Sequence, residues 1–254
     1  MIILKLGGSV ITDKSVPFSV HQDVLTRLAS EIKEAGVEVV IVHGGGSFGH
    51  PVASKYELQN GLKGPEQLMG VAETRLAMND LNRRVVEIFV ELGLPAISVQ
   101  SSAIFTCRNK RVETAQLDVV GDFLRLGTIP VLYGDVVVDS ELGVCILSGD
   151  QIVSRLASGL GAEQVVLATN VEGVLNSSGG VIERITPHNS AEVLGMIGGV
   201  KGDVTGGMKG KVSELIELSE TGVSALVVNA LVAGRVKNAL LGKAVKGTLF
   251  EAQK

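Results

Sequence analysis

Short aliphatic runs along this chain alternate with stretches in which apolar residues recur every three or four positions. The runs at residues 2–6, 37–43, 96–99, 129–133, 164–169 and 224–229 predict buried strands. Strands separated by helical stretches are typical of a parallel sheet that helices cover on both faces. The pattern therefore predicts an α/β fold, a three-layer α/β/α sandwich with a mostly parallel central sheet.

Apolar stripes at helical spacing lie between the runs. The three clearest are Val24, Leu25, Leu28 and Ile32; Ile152, Val153, Leu156 and Leu160; and Met208, Val212, Leu215 and Ile216. They predict helices that face the core. Residues 66–92 predict a longer helix, in which Met69, Ala72, Leu76 or Met78 could line an apolar slot or simply belong to the core. Residues 135–147 predict an antiparallel hairpin, because two aliphatic runs flank a turn-forming segment.

No linker or low-complexity tract interrupts the 254 residues, so we expect one α/β domain over 1–254. The expected seam within it is near Gly149, between a lobe of residues 1–148 and a lobe of residues 149–254. Hydrophobic residues make up 45% of the chain and charged ones 20%, which excludes a disordered protein. The 23 basic residues are outnumbered by 27 acidic ones, so no basic surface for nucleic acid is expected.

The cellular setting can also be predicted from the sequence. No signal peptide is recognisable, and no apolar run approaches the roughly 20 residues that cross a bilayer. Cys107 and Cys145 lie far apart without metal-ligand neighbours, so we expect reduced core cysteines and no metal bound by protein residues. These features predict a soluble cytoplasmic protein.

A glycine-rich run from His43 to His50 is the most informative segment of the chain. It reads His-Gly-Gly-Gly-Ser-Phe-Gly-His and follows a predicted strand. Glycines let backbone N–H groups crowd around phosphate oxygens, and the second histidine could contact a further anion. A tight surface turn is the structural alternative. The density of glycine, with Gly44, Gly45 and Gly46 in sequence, favours a phosphate site.

Three further segments combine backbone donors with a charged side chain. They are Lys5-Leu6-Gly7-Gly8-Ser9, Ser148-Gly149-Asp150, and Thr205-Gly206-Gly207-Met208-Lys209-Gly210-Lys211. Lys5 interrupts an aliphatic strand, so it must reach solvent, be paired or face a polar site. Asp150 and Thr205 each stand where a helix N-cap is expected. Lys211 falls near a helix start, where a cation is unfavourable without a neighbouring anion. Because ligands in α/β sheets gather at the carboxyl ends of strands, we expect the four segments to converge.

Two common nucleotide motifs are excluded. Gly44, Gly46 and Gly49 match G-x-G-x-x-G, yet no strand-ending acidic residue follows about 20 positions later, as a dinucleotide site requires. Gly206, Gly210 and Lys211 have the wrong spacing for a P-loop, and Val212 stands where that motif needs Ser or Thr.

In these four segments the chain resembles the amino acid kinase superfamily and, within it, the isopentenyl phosphate kinase family, from Lys5 to about Gly247. The superfamily places a lysine and Gly-Gly after its first strand, a glycine-rich loop after its second, and Gly-Gly-Met-x-x-Lys near the nucleotide. His50 resembles the histidine of the subgroup that accepts phosphate or phosphonate groups. The chain departs from the usual Thr-Asp-Val-Asp-Gly-Val-Tyr pattern over residues 169–175, where Asn170, Glu172 and Leu175 stand instead of Asp, Asp and Tyr.

The resemblance implies a role for each position. Lys5 and Lys211 would hold the β- and γ-phosphates of ATP, Gly8 and Gly46 would donate N–H groups to the transferred phosphoryl, Lys14 would join at the transition state and Asp150 would orient the lysines. Gly45, His50 and Gly149 would hold the acceptor phosphate, and Gly7, Ser9, Thr169, Asn170 and Gly207 would contact the nucleotide. Residues 1–148 would bind the acceptor and residues 149–254 the nucleotide.

The implied reaction is phosphorylation of isopentenyl phosphate or a similar small phosphorylated acceptor by ATP with Mg²⁺, in a homodimer. Two alternatives stay open from the sequence. One is a fosfomycin or phosphonate kinase of the same fold, which would keep the histidine but bind a compact polar acceptor. The other is a nucleotide-binding protein without turnover, which the lysines at positions 5, 14 and 211 disfavour. A dinucleotide-dependent oxidoreductase is a more distant possibility.

Overall fold

The protein is represented by a computed structural model that describes residues 1–197 and 207–253. The strands are β1 (Ile2–Leu6), β2 (Val39–His43), β3 (Ala96–Ser98), β4 (Phe105–Arg108), β5 (Arg111–Ala115), β6 (Ile129–Tyr133), β7 (Asp135–Asp139), β8 (Gly143–Leu147), β9 (Gln164–Thr169), β10 (Arg184–Ile185), β11 (Ser224–Asn229) and β12 (Gly247–Phe250). The helices are α1 (Gly8–Ile11), α2 (Gln22–Ala35), α3 (Gly46–Lys55), α4 (Glu66–Glu91), α5 (Ser101–Ile104), α6 (Asp118–Arg125), α7 (Gly149–Leu160), α8 (Ser190–Met196), α9 (Gly207–Glu220) and α10 (Arg235–Leu240), with a 3₁₀ turn at Leu58–Asn60.

An eight-stranded sheet forms the middle layer, in the order β10-β12-β11-β9-β1-β2-β6-β3. All neighbours pair in parallel except β11 and β12. The predicted three-layer α/β/α fold is confirmed. Every strand predicted for this sheet is present, although β2 begins two residues later and β3 ends one residue earlier than the sequence pattern suggested.

A second sheet of four strands, in the order β5-β4-β7-β8, covers part of one side. It contains the predicted hairpin, in which β7 and β8 pair antiparallel. Strands β4 and β5 were not predicted, because β5 is largely exposed and carries no aliphatic run that could signal a strand. The short edge strands β10 and β12 were missed for a related reason: one has two residues and the other four.

The core lies on both faces of the main sheet, and strand alternation decides which residue meets which face. On β1, Ile2, Leu4 and Leu6 join the cluster under α2, α4 and α10, whereas Ile3 joins the opposite cluster with residues of α7 and α9. Lys5 is two residues after Ile3, so it lies on the same face of the strand. The period of the strand therefore directs the lysine toward the layer that contains α7, which is where Asp150 lies.

The predicted helical stripes became α2, α7 and α9, and residues 66–92 became α4 apart from the final leucine. For three of the four residues named on α4, neither alternative, the apolar slot or the core, is correct. Met69, Ala72 and Leu76 are exposed on the outer surface of this helix, and only Met78 of the four faces inward. The spacing of apolar residues in one sequence shows which residues share a helix face. It does not show which of those faces meets the site.

Four neighbouring parallel strands, β9, β1, β2 and β6, end at the same edge of the sheet. A glycine-containing or polar segment follows each of them, so these segments meet at one edge of the sheet. Two of the four segments predicted to converge, those after β1 and β2, are among them. Cys107 and Cys145 are both buried and free, as expected. Among the described helices, none is both long and apolar enough to cross a membrane.

Candidate active site

A cleft opens at the carboxyl edge of the main sheet, and nearly all of the predicted site residues line it. They are Lys5, Gly7, Gly8, Ser9, Lys14, Gly45, Gly46, His50, Gly149, Asp150, Thr169, Asn170 and Lys211. Gly207 is the first residue of α9. Thr205 and Gly206, the remaining part of that predicted segment, lie outside the described residues.

The floor of the cleft is an ion cluster of two lysines on one carboxylate. The Nζ of Lys5 lies 2.6 Å from Oδ1 of Asp150. The Nζ of Lys211 lies 3.0 Å from the same oxygen and 3.2 Å from Oδ2. The three side chains are 9%, 12% and 15% exposed for Lys5, Asp150 and Lys211. The cluster therefore carries a net positive charge that solvent screens poorly.

Burial and neighbouring charge set the ionisation of the cluster. The pKa of Lys5 is lowered to about 8, chiefly by burial and also by the charge of Lys211, while Asp150 opposes both effects. Burial alone would raise the pKa of Asp150, but the ammonium groups of Lys211 and Lys5 outweigh it and hold that pKa well below its usual range. Asp150 is thus a firmly ionised carboxylate that keeps two cations side by side.

Helix α7 presents Asp150 to the lysines in a different way from the one predicted. The N-cap is Ser148, whose Oγ accepts a hydrogen bond from the N–H of Gln151 at 3.3 Å. The prediction of Asp150 as the N-cap is therefore wrong: it is the second residue of the helix, and its side chain is free to face Lys5. Gly149 allows the close packing, because a Cβ there would lie 3.1 Å from Cε of Lys5.

Lys211 lies in the second turn of α9, as the sequence predicted. The carboxylate of Asp150 supplies the anion that a lysine near a helix start requires.

Two glycine loops touch each other above this cluster. A Cβ on Gly8 would lie 2.5 Å from the backbone nitrogen of Gly46, and one on Gly46 would lie 2.0 Å from Oγ1 of Thr12. Gly46 also has a φ of 48°, a left-handed conformation that favours glycine. The side chain of Thr12 donates to the carbonyl of Gly8 and accepts from the N–H of Ser47. Glycine is therefore required at positions 8 and 46 by packing as well as by any ligand.

His50 stands on α3, which follows β2, whereas Thr169 ends β9, and β1 lies between these two strands. A Cβ on Gly45 would lie 3.1 Å from Cδ2 of His50 and 3.2 Å from Sδ of Met78, so these three residues form one wall. Ala53, Thr74 and Ile146 continue the lining of the cleft, beside Met78. A polar imidazole next to an apolar surface suits a ligand with an anionic head and an apolar tail.

His43 supports the glycine loop after β2, which comprises residues 44–46. Its Nδ1 lies 3.1 Å from the carbonyl oxygen of Gly44, and Asn82 Nδ2 lies 3.2 Å from its Nε2. This pairing fits a neutral ring that donates from Nδ1 and accepts at Nε2. Burial lowers the pKa of His43 to about 4, and the ring stacks on Tyr133 with centroids 5.4 Å apart. The prediction that His43 ends a strand is confirmed.

Known proteins resemble this chain over nearly its whole length. The family model described as "Amino acid kinase family" matches residues 1–229. The chain belongs to the amino acid kinase family. It is 40% identical to an isopentenyl phosphate kinase of Methanothermobacter thermautotrophicus over 98% of each chain, and 36% identical to one of Methanocaldococcus jannaschii over 98% of this chain and 97% of the relative. A solved structure described as isopentenyl phosphate kinase superposes with a TM-score of 0.86 at 37% identity, covering 98% of this chain and 99% of the other.

The chain departs from the usual family pattern after β9, in the segment expected to contact the nucleotide. The hydroxyl of Thr169 donates to the carbonyl of Val228 and therefore braces the end of the strand. Asn170 accepts a hydrogen bond from Ser9 at 3.3 Å, which joins the loops after β9 and β1. Glu172 turns away from the cleft, because Asn229, Arg235 and Lys246 surround its carboxylate and hold its pKa well below the usual range.

Several cleft residues were not predicted from the sequence. Ala53, Thr74, Gly134, Asp135 and Ile146 line it without belonging to any recognised motif. Gly134 and Asp135 follow the carboxyl end of β6, so the rule that ligands gather at strand ends could have indicated them. For Ala53, Thr74 and Ile146 the sequence carries no comparable signal, because an apolar or small residue on an element resembles a core residue.

We predict that the affinity of this kinase for ADP falls as pH rises above 8. The ammonium of Lys5 then loses its proton, whereas the phosphates of ADP, whose second pKa is near ~6, are already ionised. The affinity for ADP should fall by roughly tenfold per pH unit. Calorimetric titration from pH 7 to 9.5 measures it. Lys5→Arg should flatten the dependence, since guanidinium stays protonated.

Lys243→Arg, at an exposed lysine outside the cleft, is the matched control and should keep the wild-type profile. An affinity that is constant to pH 9.5 in the wild type would contradict the assignment of Lys5.

Proposed function

We propose that this chain transfers the γ-phosphoryl group of ATP to the phosphate of isopentenyl phosphate, forming ADP and isopentenyl diphosphate. The observation that carries the proposal is the placement of Lys5, Lys211, both glycine loops and His50 around one cleft. The names of the similar kinases support the choice of acceptor.

The acceptor needs no general base. The second pKa of a phosphate monoester is near ~6, so at neutral pH its oxygen is already an anionic nucleophile. That oxygen forms a bond to the γ-phosphorus while the bond between this phosphorus and the β,γ-bridging oxygen breaks, and the electron pair leaves with ADP. The obstacle is repulsion between two highly charged anions that must approach to roughly 3 Å.

The residues of the cleft offset this repulsion. Lys5 and Lys211 hold the β- and γ-phosphates, and the N–H groups of Gly8 and Gly46 donate to the phosphoryl group as it moves. Lys14 lies in the exposed turn after α1 and lines the cleft, where its ammonium joins the charge that develops during transfer. Asp150 keeps the lysines in register and does not take a proton.

Acceptor and nucleotide occupy different ends of the cleft. His50, Gly45 and Gly149 bind the acceptor phosphate, and Met78 with its apolar neighbours receives the tail. Gly7, Ser9, Thr169, Asn170 and Gly207 contact the nucleotide. The acceptor lobe is residues 1–148 and the nucleotide lobe residues 149–254. The division is not strict at the site, because Gly7 and Ser9 of the first lobe contact the nucleotide, Gly149 of the second contacts the acceptor, and β1 and β9 join the two halves in one sheet.

Magnesium and dimer formation complete the proposal. Both oxygens of Asp150 are engaged by lysines, and the described residues contain no group of three potential metal-binding side chains. Mg²⁺ therefore enters on the phosphates of ATP and neutralises part of their charge. The homodimer follows from the family resemblance.

A panel of acceptors tests the proposed function. ADP release is measured with ATP, Mg²⁺ and, in turn, isopentenyl phosphate, dimethylallyl phosphate, fosfomycin and N-acetylglutamate. We expect the highest kcat/KM with isopentenyl phosphate and measurable turnover with dimethylallyl phosphate. The two acceptors differ only in the position of one double bond, and apolar contacts discriminate by only about 1–3 kcal/mol even for a whole methylene. A preference for fosfomycin would assign the chain to phosphonate kinases. No turnover with any acceptor would favour a nucleotide-binding protein without catalysis.

We predict that His50→Ala raises KM for the acceptor and lowers kcat by about 10²-fold or more, since a donor to the acceptor phosphate is lost in the ground state and in transfer. His50→Gln should retain part of both, because its amide still donates. His188→Ala, at an exposed histidine outside the cleft, is the control. Steady-state kinetics with isopentenyl phosphate measures the effect, and near-normal constants for His50→Ala would remove the acceptor assignment.

A further inference from the structure

The loop between Thr12 and Val20 carries Lys14 to the cleft. Thr12 and Val20 close its base as an antiparallel bridge, and the N–H of Asp13 donates to the carbonyl of Ser19 at 3.1 Å. The carboxylate of Asp13 accepts hydrogen bonds from the N–H and the hydroxyl of Ser15. The loop is therefore folded on itself, but none of these bonds fixes its position relative to the acceptor site.

Contacts to the first turn of α3 provide that fixation. The N–H of Ser47 donates to Oγ1 of Thr12, and the hydroxyl of Ser47 donates to the carbonyl of Ser19 at 3.1 Å. The N–H of Phe18 donates to the carbonyl of Ser47 at 3.3 Å. That carbonyl is available because Pro51, four residues later in α3, has no N–H to donate to it.

Phe18 is the unusual member of this set. Its φ is 56°, in the left-handed region that bulky side chains rarely adopt, and 47% of its surface stays exposed. Its ring packs edge-to-face on Phe48, with centroids 5.5 Å apart and an interplanar angle of 86°. Phe48 is fully buried and lies two residues before His50. An uncommon backbone conformation at a partly exposed aromatic residue has to be held by such contacts.

We infer that Phe18 is a positioning residue for phosphoryl transfer, which fixes the loop of Lys14 on the helix that carries Gly46 and His50. This inference rests on the proposed function. Through Phe18 the ammonium of Lys14 keeps a constant relation to the acceptor histidine and to the second glycine loop. Phe18 itself is outside the residues that line the cleft, so it acts through Lys14 and not on the substrate.

A double-mutant cycle tests the inference. Phe18→Ala should lower kcat about tenfold or more with little change in KM for ATP, because Lys14 contributes chiefly at the transition state. In a Lys14→Ala background the same substitution should cost less than twofold. Phe18→Tyr keeps the ring and should restore kcat. Val16→Ala, at an exposed residue of the same loop, is the matched control and should leave kcat unchanged.

A wild-type kcat in Phe18→Ala, or an equal loss of kcat in both backgrounds, would overturn the inference. A wild-type kcat in Lys14→Ala would overturn it as well, together with the role proposed for Lys14. Amide hydrogen exchange gives a readout that needs no turnover. An inactive wild type would refute the proposed function, but hydrogen exchange would still show whether Phe18 anchors the loop. Phe18→Ala should speed exchange over residues 13–19 with an unchanged melting temperature, and unchanged exchange would refute the anchoring.

Discussion

A buried carboxylate between two lysines is the interaction on which the rest of this structure depends. Asp150 holds the ammonium groups of Lys5 and Lys211 within 3.0 Å of one oxygen, in side chains that are at most 15% exposed. Two like charges would repel each other at this separation without it. The three groups do not neutralise each other, since one negative charge faces two positive ones. The surplus charge is what makes the cleft suited to an anion.

The sheet explains why these three groups meet. Lys5 interrupts β1 on the face that α7 covers, and α7 begins directly after β8 with Asp150 in its first turn. The contact of Gly8 with Gly46 then fixes the spacing of the two loops above the lysines. Backbone packing, ion pairing and the placement of donors are thus parts of one arrangement. A side chain at either glycine would displace the loop and, with it, the proposed phosphate site.

The fold and much of the site were predictable because both leave short-range signals. Aliphatic runs marked the strands of the main sheet, and glycines beside lysines marked the carboxyl edge where they converge. The sequence pattern did not predict features that depend on where a side chain points. The period of α4 could not say that Met78 faces the cleft while Met69, Ala72 and Leu76 face outward, and Ser148 could not be preferred to Asp150 as the N-cap. Phe18 carries no motif, because its role comes from contacts with α3.

The most direct measurement is a crystal structure with a non-hydrolysable ATP analogue and isopentenyl phosphate bound together. We expect the following arrangement. The γ-phosphate lies within hydrogen-bonding distance of the N–H groups of Gly8 and Gly46, the ammonium groups of Lys5 and Lys211 contact the β- and γ-phosphates with Asp150 still between them, and the acceptor phosphate contacts His50. A triphosphate bound away from these lysines, or an acceptor phosphate that does not contact His50, would contradict it.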